Sequence, residues 1–346
     1  VSAPFRIDLR DASTFPTRRD EAWRWSDFAR VVTGPAAPAP ELAAPEPGGP
    51  FAAIEASETT FANGRLPDGE AVAYLTLDGG AHRLRFVTEA DKSGWQAAAR
   101  ILVPDGASVL LLETYEGSGG AYVANAALTF HLEDGASLER IVLIDEPAEA
   151  VSVSSSTVEL APGARFSQTV IATGAKLQRH ETHLVHPGEG AVVRMDGAYL
   201  LDGARHADLT TVLTHAGGGA TSQMCKGVVA GQARAVFQGK IEVRPGADGT
   251  DARMRHDALL LSDRAEVDAK PELEIYADDV QCAHGNTVGA LDDDTLFYIR
   301  SRGVPEAEAK ALMTEAFVGE VVERIGPEDV REIVRAKVVA RLEGLA

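Results

Sequence analysis

Short runs of alternating apolar and polar residues dominate the chain from about Ala71 to Val288, with Val72–Leu77, Arg83–Val87, Val109–Thr114, Leu138–Ile144 and Val151–Leu160 as examples. Period-2 alternation predicts β-strands. Turn signals of one recurrent kind separate them, a glycine beside a small residue, usually after Asp or Pro. They stand at Gly106, Gly135, Gly163, Gly188, Gly203, Gly218, Gly231 and Gly246, in steps of 29, 28, 25, 15, 15, 13 and 15 residues. The long steps are near twice the short ones, so the unit is about 14 residues. A regular unit with no helix-length insert predicts stacked coils, each too thin to bury its apolar face alone. On spacing alone a β-sandwich or jelly roll is the competing architecture.

Flanking segments have other patterns. Phe15 to Trp25 predicts one short helical segment, followed by a linker from Gly34 to Pro50 dense in proline and alanine. Proline at that density removes backbone donors and predicts an extended or mobile connector. After His284 the period becomes helical. Asp292–Asp294 cap a first helix through Leu296, Phe297 and Ile299, which Gly303 ends. Pro305 opens a second as its first residue, with Met313, Phe317, Val321 and Ile325 on one face. Glu328 to Glu343 forms a third, striped by Val330, Val334 and Val338. The expected division is 1–60 (helical segment and linker), 61–290 (β core) and 291–346 (helical domain).

Composition narrows the function classes. The 346 residues hold 33 Lys+Arg against 52 Asp+Glu, a formal charge of −19 that repels phosphate backbones and argues against unaided nucleic-acid binding. Aromatics are only 6%, as suits a bore filled with Val, Ile, Leu and Ala. No apolar run approaches the ~18–20 residues of a membrane span. Val1 to Arg10 has no signal-like apolar stretch. Two cysteines, Cys225 and Cys282, are too few for a disulfide framework. A cytoplasmic protein with reduced thiols is expected.

Candidate chemistry is sparse. His180, His183 and His186 look like a ligand array, but alternation turns His183 away from the other two, which predicts an exposed polar edge. His206 and Asp208 share a strand face, with His215 beyond, and read as a surface ladder in the absence of a nucleophile motif. Cys225, in an apolar run, reads as core, and Asp278 and Asp279, near Glu272 and Glu274, as solvated turn carboxylates. Cys282 and His284 are different. Two apart in an extended chain, they project to one side, where thiolate and imidazole can meet one soft metal. They would make half of a tetrahedral site, so a cluster there would need ligands from a second chain; on the residues alone the competing reading is a part-buried Cys beside a surface His. Gly285 beside them allows close approach or a bend.

The stretch from Ala265 through Glu274-Ile275-Tyr276-Ala277-Asp278-Asp279-Val280-Gln281-Cys282-Ala283-His284-Gly285 resembles the SufD members of the SufB/SufD family of iron–sulfur cluster assembly scaffolds. Thr287-Val288-Gly289, Ser301-Arg302-Gly303, Lys226-Gly227-Val228, Phe237-Gln238-Gly239-Lys240 and the opening Pro16-Thr17-Arg18-Arg19-Asp20-Glu21-Ala22-Trp23 extend the likeness. The resemblance implies a right-handed parallel β-helix, mainly β, flanked by N-terminal and C-terminal helical regions. It also implies a non-catalytic subunit of a SufB–SufC–SufD complex that pairs with SufB through the β-helix. The ATPase SufC would bind the C-terminal helices, where Phe297, Met313, Phe317 and Val321 are the candidate contacts. A homodimer is the expectation for the isolated chain. An iron–sulfur cluster, transient and shared with the partner, would be built at His284 with Cys282 beside it; nothing assigns a flavin site. Asn286 and Cys225 depart from the family's usual residues, and the chain is short for it. The competing reading from another class is a carbohydrate-active β-helix enzyme using paired carboxylates.

Overall fold

The glycine turns close the corners of a solenoid. In this computed structural model, which describes residues 7–345, Gly106, Gly135 and Gly163 adopt φ of 63°, 67° and 67°, a left-handed corner that other residues resist. Each corner hydrogen-bonds the next: Gly106 N–H to Asp134 O, Gly135 to Pro162 O, Gly163 to Glu189 O, at 2.9, 3.0 and 3.1 Å. The small residues that follow, such as Ala136 and Ala164, are buried in the bend.

Seventeen strands among the described residues alternate between two sheets. The nine-stranded sheet holds β1 (Ser57–Ala62), β3 (Gly80–Ala90), β5 (Ser108–Gly119), β7 (Ser137–Asp145) and β9 (Arg165–Ala172). It continues through β11 (Val192–Leu201), β13 (Ala220–Val229), β15 (Asp251–Leu260) and β17 (Gln281–Gly289). The eight-stranded sheet holds β2 (Val72–Thr76), β4 (Gly94–Val103), β6 (Val123–Leu132) and β8 (Val151–Leu160). It is completed by β10 (Leu177–His186), β12 (His206–His215), β14 (Arg234–Val243) and β16 (Glu266–Ile275). Every ladder is parallel, and Ser108, Ser137 and Arg165 are successive register partners, steps of 29 and 28 residues. One coil is therefore two strands, twice the ~14-residue unit. The fold is a parallel β-solenoid of about eight turns, mainly β with few helices, and not a sandwich. It begins earlier than the pattern predicts, because β1 carries Ser57, Glu58, Thr59 and Thr60 before its two apolar residues.

The bore is filled by Leu111, Val142, Phe130, Leu184, Leu213 and similar residues, all fully buried. At the β1 end it is filled by stacked rings, Phe61, Phe86 and Tyr115, with centroids 5.0 and 4.8 Å apart. The bore is not wholly apolar. Arg140 and Glu113 pair at 2.8 Å with no exposure, and Arg140 also donates to Gln168. A charge pair buried this deeply holds only if nearly every polar atom finds a partner.

Outside the bore, the predicted N-terminal helix is replaced by 3-10 turns at Ala12–Thr14 and Glu21–Trp23 and by α1 (Phe28–Val31). Three elements of three or four residues cannot stand alone. They are held on the eight-stranded sheet by Trp23, Phe28, Val153 and Leu177. Residues 1–6 of the stretch read for a signal lie outside the described residues. The Pro/Ala linker is extended, and Gly48 N–H to Glu58 and Arg85 to Glu46 O tie it down. Three helices follow β17: α2 (Asp293–Ser301), α3 (Glu306–Val322) and α4 (Glu328–Glu343). Pro305 is the N-cap of α3 and not its first residue. No helix of the described residues is long and apolar enough to cross a membrane.

Candidate functional site

Among the described residues β17 is an outermost strand, with β15 on one side and no strand on the other. Its residues Cys282, His284, Asn286 and Val288 are register partners of Ala252, Met254, His256 and Ala258, all buried in the bore. Their side chains therefore share the bore-facing side at an end that no further coil covers. His284 and Asn286 are exposed, and Cys282 is half-buried against the core. Gln281 N–H donates to Thr250 O, so backbone groups of the alternate residues, Cys282, His284, Asn286 and Val288, point to the free edge. One row thus offers a thiol, an imidazole and an amide together with unpaired peptide groups.

Burial raises the Cys282 thiol pKa, and a backbone hydrogen bond from Ala252 opposes the shift. The chain by itself keeps this sulfur protonated, so a metal or a partner's cation is needed to make it a ligand. No group of three or more metal-ligating side chains exists among the described residues. Gly285 does not bend the strand, and a Cβ there would meet nothing within 4 Å, which leaves room for close approach.

The other candidates differ from expectation. His180, His183 and His186 alternate as predicted but are all buried, because β10 is central, paired with both β8 and β12. His180 Nδ1 lies 2.7 Å from Ser154 Oγ, His183 bonds Glu181, and His186 stacks on His215 at 4.7 Å. Burial lowers the pKa of His180, His186 and His215, so all three are neutral near pH 7. His206 and Asp208 are not a surface ladder either, since the N-terminal segment lies over them. Asp208 accepts from Ser26 Oγ and Arg179 Nη1, both at 2.5 Å, and Arg179 packs under Trp23 at 4.3 Å. Ser26 also lies 3.1 Å from His206 Nε2, but it gives its proton straight to Asp208 and is buried, so it is a strap and not a nucleophile. Sequence spacing could not find this cluster, because Ser26 and Asp208 lie 182 residues apart. Cys225 is core, and burial pushes its thiol well up. Asp278 and Asp279 are exposed turn residues. Glu272 and Glu274 pair with Lys270 and Lys240, at 3.0 and 2.7 Å, and so are not poised as an acid and base.

The C-terminal stripe is largely used internally. Val321 and Ile325 are fully buried on the outer face of the nine-stranded sheet, with Ile141, Ala198 and Val228. Val321 is covered within the chain itself, since that sheet face is apolar and takes α3 and α4 as its cover. Lys226 ties α3 down, 3.0 Å from Glu320 and 4.4 Å from the Phe317 ring, and Arg324 meets Asp196 at 2.7 Å. Phe317 and Met313 are half-buried, while Phe297 is 73% exposed. Tyr298 and Leu312, which the sequence pattern did not single out, are also exposed. A groove of about 780 Å³, lined by Leu260, Leu291, Leu296, Leu342 and Leu345, runs between α2 and the end of α4.

The family model for the SUF system FeS cluster assembly, SufBD core domain, matches residues 86–317. The iron–sulfur cluster assembly protein SufD of Escherichia coli is 35% identical over 243 residues, 69% of this chain and 57% of that protein. An iron–sulfur cluster assembly SufBD family protein of Synechocystis is 30% identical over 70% of this chain and 56% of its own length. The chloroplastic protein ABCI7 of Arabidopsis thaliana is 30% identical over 68% of this chain and 50% of its own length. The chain spans about half the length of these relatives. With a core model matched across most of its solenoid and SufD among its relatives, the chain belongs to the SufB/SufD family, on the SufD side.

Proposed function

We propose that this chain is a non-catalytic scaffold subunit for iron–sulfur cluster assembly, in which the cluster is cargo and the open end of the bore is where it is built. The observation that carries this is the row on β17, where Cys282 and His284 stand beside unpaired backbone groups. Half a ligand set on an unpaired edge is what a shared site requires. A SufB-type partner would lie along β16 and β17, gaining backbone hydrogen bonds and covering the exposed Ile275, Tyr276 and Val288. Its cysteines would supply the remaining sulfur ligands. In isolation the same edge suits a second copy of this chain. The ATPase SufC would dock on the helices at Phe297, Tyr298 and Leu312, with Met313 and Phe317 at the rim.

Anaerobic purification from cells, with mass spectrometry of what accompanies the chain, tests this. A paralogous solenoid and an ABC-type ATPase are expected, and His284→Ala should keep both while losing most of the cluster. A chain that purifies alone would contradict the proposal.

A further inference from the structure

The row on β17 continues past His284 to Asn286, whose side chain is tied into the bore. Asn286 Oδ1 lies 2.6 Å from His256 Nδ1, and His256 Nε2 lies 2.6 Å from the Tyr199 hydroxyl. Tyr199 is two coils away in sheet order, on β11, and reaches His256 across Gly227. A Cβ on Gly227 would fall 2.0 Å from the Tyr199 ring, so only glycine leaves that passage open. The Phe237 ring lies parallel to the imidazole at 4.7 Å and fixes its plane.

The chain has a direction. Tyr199 is fully buried, and its hydroxyl has His256 as its one hydrogen-bond partner among the described residues. An undonated hydroxyl in such a place is costly, so the Tyr199 O–H donates to Nε2. A neutral imidazole that accepts at Nε2 carries its proton on Nδ1. That Nδ1–H donates to the oxygen of Asn286, so the amide orientation is fixed from deep in the bore. The Nδ2–H2 group then faces away from His256, and it has no partner among the described residues. It stands on the same face as His284, two residues along the strand.

We propose that Asn286 is a further sulfur-binding residue, with Tyr199 and His256 as its positioning residues: the amide donates hydrogen bonds to anionic sulfur at the site of His284 and Cys282. This rests on the assembly function proposed above. Donors aimed at cluster sulfur stabilise its negative charge, and a preset amide does so without reorganising.

The test has two parts. In the chain alone, nitrogen-15 NMR of the histidines should give the Nδ1–H tautomer for His256, shifting toward Nε2–H in Tyr199→Phe. Nε2–H in the parent would overturn the proposal. In the purified complex, reconstituted with ferrous iron and sulfide, Asn286→Asp should release its cluster at about tenfold lower chelator concentration, the loss of one hydrogen bond to a charged group. Tyr199→Phe should move the same way by less, with an unchanged far-UV spectrum. Equal retention in parent and Asn286→Asp would overturn it. Loading with iron alone separates the sulfur sources, since a difference that persists assigns a partner thiolate and one that vanishes assigns cluster sulfide. Unimpaired loading of His284→Ala would instead defeat the assembly site itself, so the two failures are distinguishable.

Discussion

Polar residues inside the bore are the main departure from a simple alternating pattern. Glu113, Arg140, Gln168 and His180 are all buried there, and their partners come from other strands. Alternation assigns a face to each residue, but it cannot say which face is the bore when both carry polar groups. Glu146 is the sharpest case. Its carboxyl is buried and accepts from the Tyr122 hydroxyl at 3.1 Å, and burial raises its pKa from 4.5 to about 7. A folded-state pKa above the unfolded value means that the native protein binds the extra proton. That contribution is complete below about pH 4.5 and is lost as pH rises through 7. The loss amounts to about 3 kcal/mol. Glu146→Gln should therefore raise the urea midpoint at pH 8 and leave it nearly unchanged at pH 4. An equal shift at both values would show that the carboxyl is not protonated in the native state.

Among elements, the most regular were the most legible. Glu328–Glu343 and its valine stripe are found where the pattern puts them, as are the glycine corners. The N-terminal segment was not, because no internal period stabilises it and its anchors, Val153, Leu177, Arg179 and Asp208, lie far along the chain. The helical stripe was visible, but its use was not: period alone cannot tell an internal sheet face from a partner. Removing everything after Gly289 would strip α3 and α4 from Ile141, Ala198 and Val228 and should cause aggregation. Phe297→Asp is the cleaner probe. It should abolish ATPase co-purification with an unchanged melting temperature, and retained ATPase would exclude this docking site. At the edge, Val288→Pro removes a free N–H without breaking the ladder to β15. It should release the paralogous partner while the far-UV spectrum stays β-dominated; a retained partner would move that interface elsewhere.

The whole molecule has two unlike ends. Stacked aromatic rings fill the bore near β1, whereas β16 and β17 leave it open beside Cys282, His284 and Asn286. Cys282 and His284 were legible as a pair because strand alternation puts them on one side. Their place at a solenoid mouth was not, since it depends on how many coils follow. Asn286 joined them only through contacts with His256 and Tyr199 that sequence spacing does not encode. The central claim is that a cluster built here takes a nitrogen ligand from His284. Pulsed electron paramagnetic resonance of the reduced, reconstituted complex, with nitrogen-15 histidine confined to this chain, reads that bond directly. The account predicts a strong nitrogen-15 coupling that disappears in His284→Ala. A coupling that survives the substitution, or none in the parent complex, would contradict it.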